Sequence, residues 1–157
     1  MKKFTLVFIG IFLFSGISFA NKKKAEKEKA AIIKVIEDGT KAFRARDIKI
    51  MDTYVKDENT VRLGVSKNGF GVARGYSHLE SGYKNNFKNN PNQITAKYEK
   101  VNYQVKVFKE SAWAIHDQIN HQSDGNKNKQ IIVHFLEKVH GNWKISYISV
   151  LNASSFE

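Results

Sequence analysis

The sequence predicts an α+β domain in which a curved antiparallel sheet packs on three N-terminal helices. Three observations carry that expectation. Lys24 to Arg46 holds an apolar stripe at helical spacing. Ser77-His78-Leu79-Glu80 has the form of a capping box opening a further helix. From Ile94 onward the chain is a run of long segments rich in β-branched and aromatic residues, ending in two apolar arms joined by a glycine turn.

In the first helix Ile32, Ile36, Gly39 or Thr40, and Phe43 recur on one face, widened by Ile33 and Val35. Gly39 weakens a helix, so a close packing contact or a slight bend is expected there. Asp47 can cap a second, shorter helix from Ile48 to about Tyr54, with Ile50, Met51 and Tyr54 as its apolar side. Thr60 to Gly64 reads as a strand, Ser66-Lys67-Asn68-Gly69 as a hairpin turn, and Phe70 to Arg74 as the return. The third helix places Leu79, Tyr83 and Phe87 on one stripe and ends before Pro91, the only proline. Ile94 to Val107 and Ser111 to Gln122 are expected as long strands. A loop from Ser123 to Asn128 leads to the closing hairpin, Gln130 to Val139 and Trp143 to Leu151. Helices over one face of so apolar a sheet leave a cone-shaped hollow between the layers.

Residues 1–20 read as a signal peptide: Lys2 and Lys3, an apolar run from Phe4 to Phe14, and the small-residue exit Ser18-Phe19-Ala20 before Asn21. The apolar run is short for a membrane span, so cleavage is expected rather than anchoring, with no membrane association afterwards. The expected product is exported, periplasmic or secreted. It would comprise a charged N-terminal segment over residues 21–27 and one domain over residues 28–157. The chain has no cysteine, which excludes disulfides, thiolate metal sites and a lipid anchor on a cysteine. The net charge of +11 falls to about +9 without Lys2 and Lys3, and it is spread mostly as lysine. Without a basic and aromatic ladder, it reads as a solvated surface and not as a nucleic-acid partner.

The phrase Phe135-Leu136-Glu137-Lys138, followed by Gly141-Asn142-Trp143-Lys144-Ile145, resembles the closing hairpin of the nuclear transport factor 2-like superfamily. It is similar above all to its small bacterial SnoaL-like and calcium/calmodulin-dependent kinase association-domain-like members. The resemblance spans roughly Glu28 to Ser149. It implies a cone-shaped fold with its hollow, and a homodimer formed through the outer face of the sheet, for which Trp113, Ile115 and Ile119 are candidates.

Strand alternation organises the candidate site. A two-residue turn in the closing hairpin sets His134 and Leu136 on one face with Ile145, Tyr147 and Ser149. On the preceding strand Ala114, His116, Gln118 and Asn120 share a face, opposite Trp113, Ile115, Asp117 and Ile119. The hollow-lining candidates are therefore Tyr54, Tyr83, His116, Gln118, His134 and Tyr147. Each has a plainer reading, His116 as a half-exposed sheet residue and His134, Tyr54 and Tyr83 as core. The histidines show no metal-ligand spacing and there is no phosphate loop, so no metal and no cofactor are expected. The expectation is a non-catalytic domain binding a small, largely apolar molecule. The alternative is an isomerase, dehydratase or cyclase of SnoaL-like type with a histidine base and a tyrosine acid.

Overall fold

His140 and Gly141 both adopt positive φ, 48° and 79°, which closes a two-residue turn between Val139 and Asn142. This turn joins the last two strands of a computed structural model that describes residues 4–66, 69–122 and 124–152, with side chains from Lys22 onward apart from Ser66. The elements run α1 (Phe4–Ala45), a 3-10 helix (Ile48–Thr53), β1 (Val61–Ser66), β2 (Gly69–Arg74), α2 (Tyr76–Asn89), β3 (Tyr98–Val107), β4 (Ser111–His121), β5 (Lys127–Val139) and β6 (Asn142–Asn152). The strands form one sheet in the order β2-β1-β6-β5-β4-β3.

Several expectations need correction. The sheet is mixed: β1 and β6 pair in parallel, Val61 opposite Tyr147 and Val65 opposite Leu151, with α2 and the other four strands intervening between them in the chain. The three helices are not all N-terminal helices of the expected kind. The first is a 42-residue helix beginning at Phe4, the second is a 3-10 helix, and the third follows the β1–β2 hairpin. The helix passes without a break through Ala20 and the charged segment. Of the expected leader, Lys2 and Lys3 lie outside the described residues, as do Lys67 and Asn68 of the expected β1–β2 turn. The capping box is not formed. Gly75, at φ 84°, precedes the first turn of α2, and its carbonyl accepts from the Leu79 amide at 3.0 Å, so Ser77 already lies inside the helix. Strand β3 begins at Tyr98 and not at Ile94, whose amide instead donates to the Arg44 carbonyl.

Other expectations hold for the physical reasons given. Asp47 caps the 3-10 helix by accepting from the Lys49 amide at 2.9 Å. Gly39 is buried, and a Cβ there would stand 3.3 Å from Thr53 Oγ1, so the glycine does serve a close helix contact. Helix α1 lays Ile32 and Ile36 over the sheet, against Ala112, Ala114, Leu136 and Ile145. Each fully buried Ile or Leu contributes about 1.5–3 kcal/mol.

Two bulges set which side chains enter the space under α1. In β3, Val101 opposes Asp117 and Gln104 opposes Ile115, so Asn102 and Tyr103 together face His116. Asn102 takes the left-handed conformation, φ 58°, that asparagine tolerates. In β6, Ile145 opposes Leu136 but Tyr147 opposes Phe135, which leaves Ser146 as the extra residue. Here the edge of β6 changes partner, from Tyr54 and Val55 of the loop to β1.

At the hairpin end Glu28 ties α1 to the sheet. Its carboxylate accepts from Lys138 Nζ and from Trp143 Nε1, both at 2.7 Å, and those two bonds hold its pKa below the ordinary 4.5. Glu28→Ala is expected to cost about 1.5–3 kcal/mol at neutral pH, the range for hydrogen bonds to charged groups. Glu28→Gln should cost less. Urea unfolding checks this, and an unchanged midpoint in Glu28→Ala would show that the tether adds nothing.

Candidate functional site

Between α1, the 3-10 helix, α2 and the inner face of the sheet lies a cavity of about 680 Å³. Its walls are Ile36 and Phe43 from α1, and Ile132, Ile145, Ile148 and Val150 from the closing hairpin. Exposed Gln122 and Asp124 mark its mouth, while buried Tyr54, Tyr83 and His134 mark its closed end.

Strand register explains what lines it. Arg62 pairs with Ile148, Ile148 with His134, and His134 with Ala114, so these four form one row across the inner face. Gln118, Gln130 and Asn152 form another row nearer the mouth. They join with Asn120 in a chain of amides: Gln118 Nε2 donates to Asn120 Oδ1 at 3.0 Å, Asn120 Nδ2 to Gln130 Oε1 at 3.2 Å, and Gln130 Nε2 to Asn152 Oδ1 at 3.0 Å.

At the closed end the Tyr54 and Tyr83 hydroxyls are 2.9 Å apart and share a hydrogen bond. Burial and the neighbouring phenol raise the Tyr54 pKa well above 10.0, so it stays protonated. The Arg62 guanidinium faces both hydroxyls and lies 5.7 Å from the centre of the Tyr83 ring. Among the described residues Arg62 makes no ion pair.

The histidines form a stack. The His116 ring lies 5.4 Å from that of His134 at 10°, and the Tyr103 ring lies 4.7 Å from His116 on its other side. Both imidazoles are almost wholly buried, and none of their four nitrogens has a hydrogen-bond partner among the described residues. Burial, with Lys100 nearby, pushes the His116 pKa down to about 3. Burial, His116, Lys100 and Arg62 push that of His134 well below 6.5. Both rings are therefore neutral at physiological pH. Behind them Lys100 Nζ donates to Thr40 Oγ1 at 2.6 Å and lies 3.4 Å from Glu37, which also accepts from the Tyr103 hydroxyl at 2.8 Å. Burial lowers the Lys100 pKa to about 8.

Of the residues expected to line the hollow, Tyr54, Tyr83, Gln118 and His134 do so. His116 does not reach it, because it lies behind His134 in the stack. Tyr147 is on the opposite face of the sheet, its ring 5.6 Å from that of Phe135. The bulge at Ser146 reverses the alternation, so Ile148 and Val150 enter the cavity in place of Tyr147 and Ser149. Sequence reasoning missed Arg62. The sequence marks the segment only as a strand, with no face assigned, and its apolar Val61 and Leu63 share the outer face with Tyr147 and Ser149. An arginine alternating with apolar residues was the available signal.

The fold defined by these elements is that of the nuclear transport factor 2-like proteins, also described as cystatin-like. A nuclear transport factor 2-like protein of unknown function from Shewanella oneidensis matches with a TM-score of 0.62 at 15% identity, over 78% of this chain and 98% of the other. A protein from Parabacteroides distasonis, provisionally assigned as a ketosteroid isomerase, matches with a TM-score of 0.62 at 13% identity, over 80% and 88%. A provisionally assigned calcium/calmodulin-dependent protein kinase type II association domain from Thiobacillus denitrificans matches with a TM-score of 0.59 at 11% identity, over 74% and 90%. No protein-family model matches the chain, and no curated protein does. At these identities the likeness establishes the fold alone.

The neutral stack has a consequence for stability. A histidine that stays neutral when folded but is free to charge when unfolded makes the unfolded chain bind more protons below pH 6.5, so stability falls as pH falls. The slope is about 1.4 kcal/mol per pH unit for each such ring. Acidification from pH 6.5 to about pH 4 should weaken the wild-type protein more steeply than His116→Phe, by up to that slope. Denaturant unfolding across the range reads the difference, and parallel curves would mean that His116 takes up its proton in the folded state.

Proposed function

We propose that the chain is an exported, non-catalytic protein that binds a small, largely apolar molecule in this cavity. The observation that carries the reading is the cavity itself: about 680 Å³, within the usual range for small-molecule sites, walled by isoleucine and phenylalanine and closed by a few polar groups. Its closed end offers poor material for proton transfer. A general base works best with a pKa near the operating pH, and the pKa of His134 is far below it. Among the described residues no carboxylate pairs with either imidazole.

The alternative, an isomerase, dehydratase or cyclase with His134 as base and Tyr54 as acid, draws support from one observation. The paired hydroxyls of Tyr54 and Tyr83 could stabilise a developing oxyanion. The likeness in fold to a provisionally assigned ketosteroid isomerase is in keeping with it. Turnover of a ketone or enol substrate, abolished in Tyr54→Phe, would favour this reading over the first.

Two further parts of the proposal rest on other features. The leader-like residues 1–20 support export, with a product starting at Asn21 and no membrane or nucleic-acid partner. The outer face of the sheet carries Trp113, Ile115, Val133, Tyr147 and Leu151, all partly exposed, and Phe135 at 49% exposure. A contiguous apolar face of this kind fits a C2 contact with a second copy.

Native mass spectrometry of protein purified from its own host tests the whole proposal. The expected species is a dimer of chains beginning at Asn21, carrying a small molecule that is lost on denaturation. Val150→Trp, which fills the middle of the cavity, should retain the dimer and lose the small molecule. Chains that keep residues 1–20 would overturn export, monomers at micromolar concentration would overturn the dimer, and a ligand retained by Val150→Trp would remove binding from this cavity.

A further inference from the structure

Hydrogen-bond donors outnumber acceptors at the closed end of the cavity. The Arg62 guanidinium has five N–H groups, and the groups facing it are the Tyr54 and Tyr83 hydroxyls. Neither is an anion. One phenolic hydrogen is used in the Tyr54–Tyr83 bond, which leaves the other free to be donated. His134 lies two strands from Arg62 in the same row, with Ile148 between them, so the two positions are about 10 Å apart at the usual strand spacing. Its imidazole is 3% exposed, lines the cavity, and has no partner for either nitrogen among the described residues. A neutral imidazole carries one N–H donor and one acceptor nitrogen. Among the described residues the cavity thus ends in a cation without a counter-ion, a spare hydroxyl donor and an unpartnered ring.

A half-buried guanidinium with no acidic partner among the described residues is costly to hold, and the group that best offsets the cost is a planar oxyanion able to take two of its N–H bonds at once. The opposite end of the cavity makes no such demand. The mouth presents the neutral amides of Gln118, Asn120 and Gln130, which largely satisfy one another, with exposed Asp124 beside them, and the Arg44 guanidinium in the wall already donates to the Ala96 carbonyl. Ile36, Phe43, Ile132, Ile145, Ile148 and Val150 lie between the ends.

From this polarity we infer that the ligand is an apolar carboxylate, its head group on Arg62 with the Tyr54–Tyr83 hydroxyl pair and His134 beside it, and its body along the isoleucine wall. The inference rests on the cavity being a ligand site, as proposed above, and adds the chemical class of the ligand. It names Arg62 as the residue that selects for charge. The same geometry disfavours organic cations, which would meet Arg62 head on.

Isothermal titration calorimetry with the full chain tests it. The probes are hexanoate, 4-phenylbutyrate and decanoate, each beside its matching primary amide, which keeps the shape and removes the charge. The wild-type protein should bind at least one carboxylate about tenfold or more tighter than its amide, a ratio in the range of a charge-assisted bond. Arg62→Gln should erase that preference, bringing carboxylate and amide to within about twofold of each other. Arg62→Lys, which keeps the charge and loses the fork, should fall between them. Should Arg62→Gln not fold, by circular dichroism, the wild-type ratio and Arg62→Lys decide the matter. Amides that bind as tightly as the carboxylates would overturn this inference and leave the binding reading standing. If no probe of either kind bound below millimolar concentration, both would fall together.

Discussion

The space under helix α1 is rich in basic side chains and poor in acidic ones. Arg62, Lys100, His116 and His134 all enter it from the sheet, and Glu37 is the carboxylate that faces them from the helix. That imbalance governs the interior. Glu37 is taken up by Lys100 and the Tyr103 hydroxyl, so it offers nothing to Arg62. With Lys100 and Arg62 already charged, further positive charge on the imidazoles is opposed by both burial and repulsion, and the two rings stack as neutral aromatic plates. The interior is therefore organised by a surplus of donors, and each polar group in it is understood by asking which acceptor it lacks.

The same imbalance separates structural from ligand-facing polar groups. Lys100, Tyr103 and His116 form a layer outside the cavity, packed between α1 and the bulged part of β3. Arg62, Tyr54, Tyr83 and His134 form the layer that opens onto the cavity. His134 belongs to both, one side of its ring covered by His116. Rigid placement of such groups by regular strands, and not by loops, suits selective binding, since little ordering is left to be done when a ligand arrives.

Much of this was legible in the sequence. The closing hairpin was, because His140-Gly141 sits between two β-branched arms and glycine supplies the positive φ. So was the contact at Gly39, and the inward face of β4 from Ala114 through Asn120. What escaped was every feature that depends on phase. Alternation carries across a strand only while each residue has one partner, and both bulges break that condition. In hindsight the slip leaves a mark: Trp143 and Ile145 point inward on odd positions, Ile148 and Val150 on even ones. The apolar Tyr147 and Leu151 hide it, because the outer face is apolar as well. Arg62 escaped for the same reason, since an apolar outer face makes Val61 and Leu63 look like core. The parallel pairing of β1 with β6 joins segments more than eighty residues apart, and nothing local announces it.

The extra residue at Ser146 also bears on how such a domain can change over time. Point substitutions along β6 alter one contact at a time, on one face or the other. A one-residue deletion at this position would act differently: it would turn the strand beyond it inside out, swinging Tyr147 and Ser149 toward Arg62 and putting Ile148 and Val150 on the exterior. What β6 gives to the pocket and to the outer surface would be exchanged in a single step, with the hairpin turn and the strand order untouched. Lineages of this fold therefore have two ways to vary, gradual repainting of either face and abrupt eversion by length. Comparisons among distant relatives that align β6 without a gap at this point would match residues that face opposite directions.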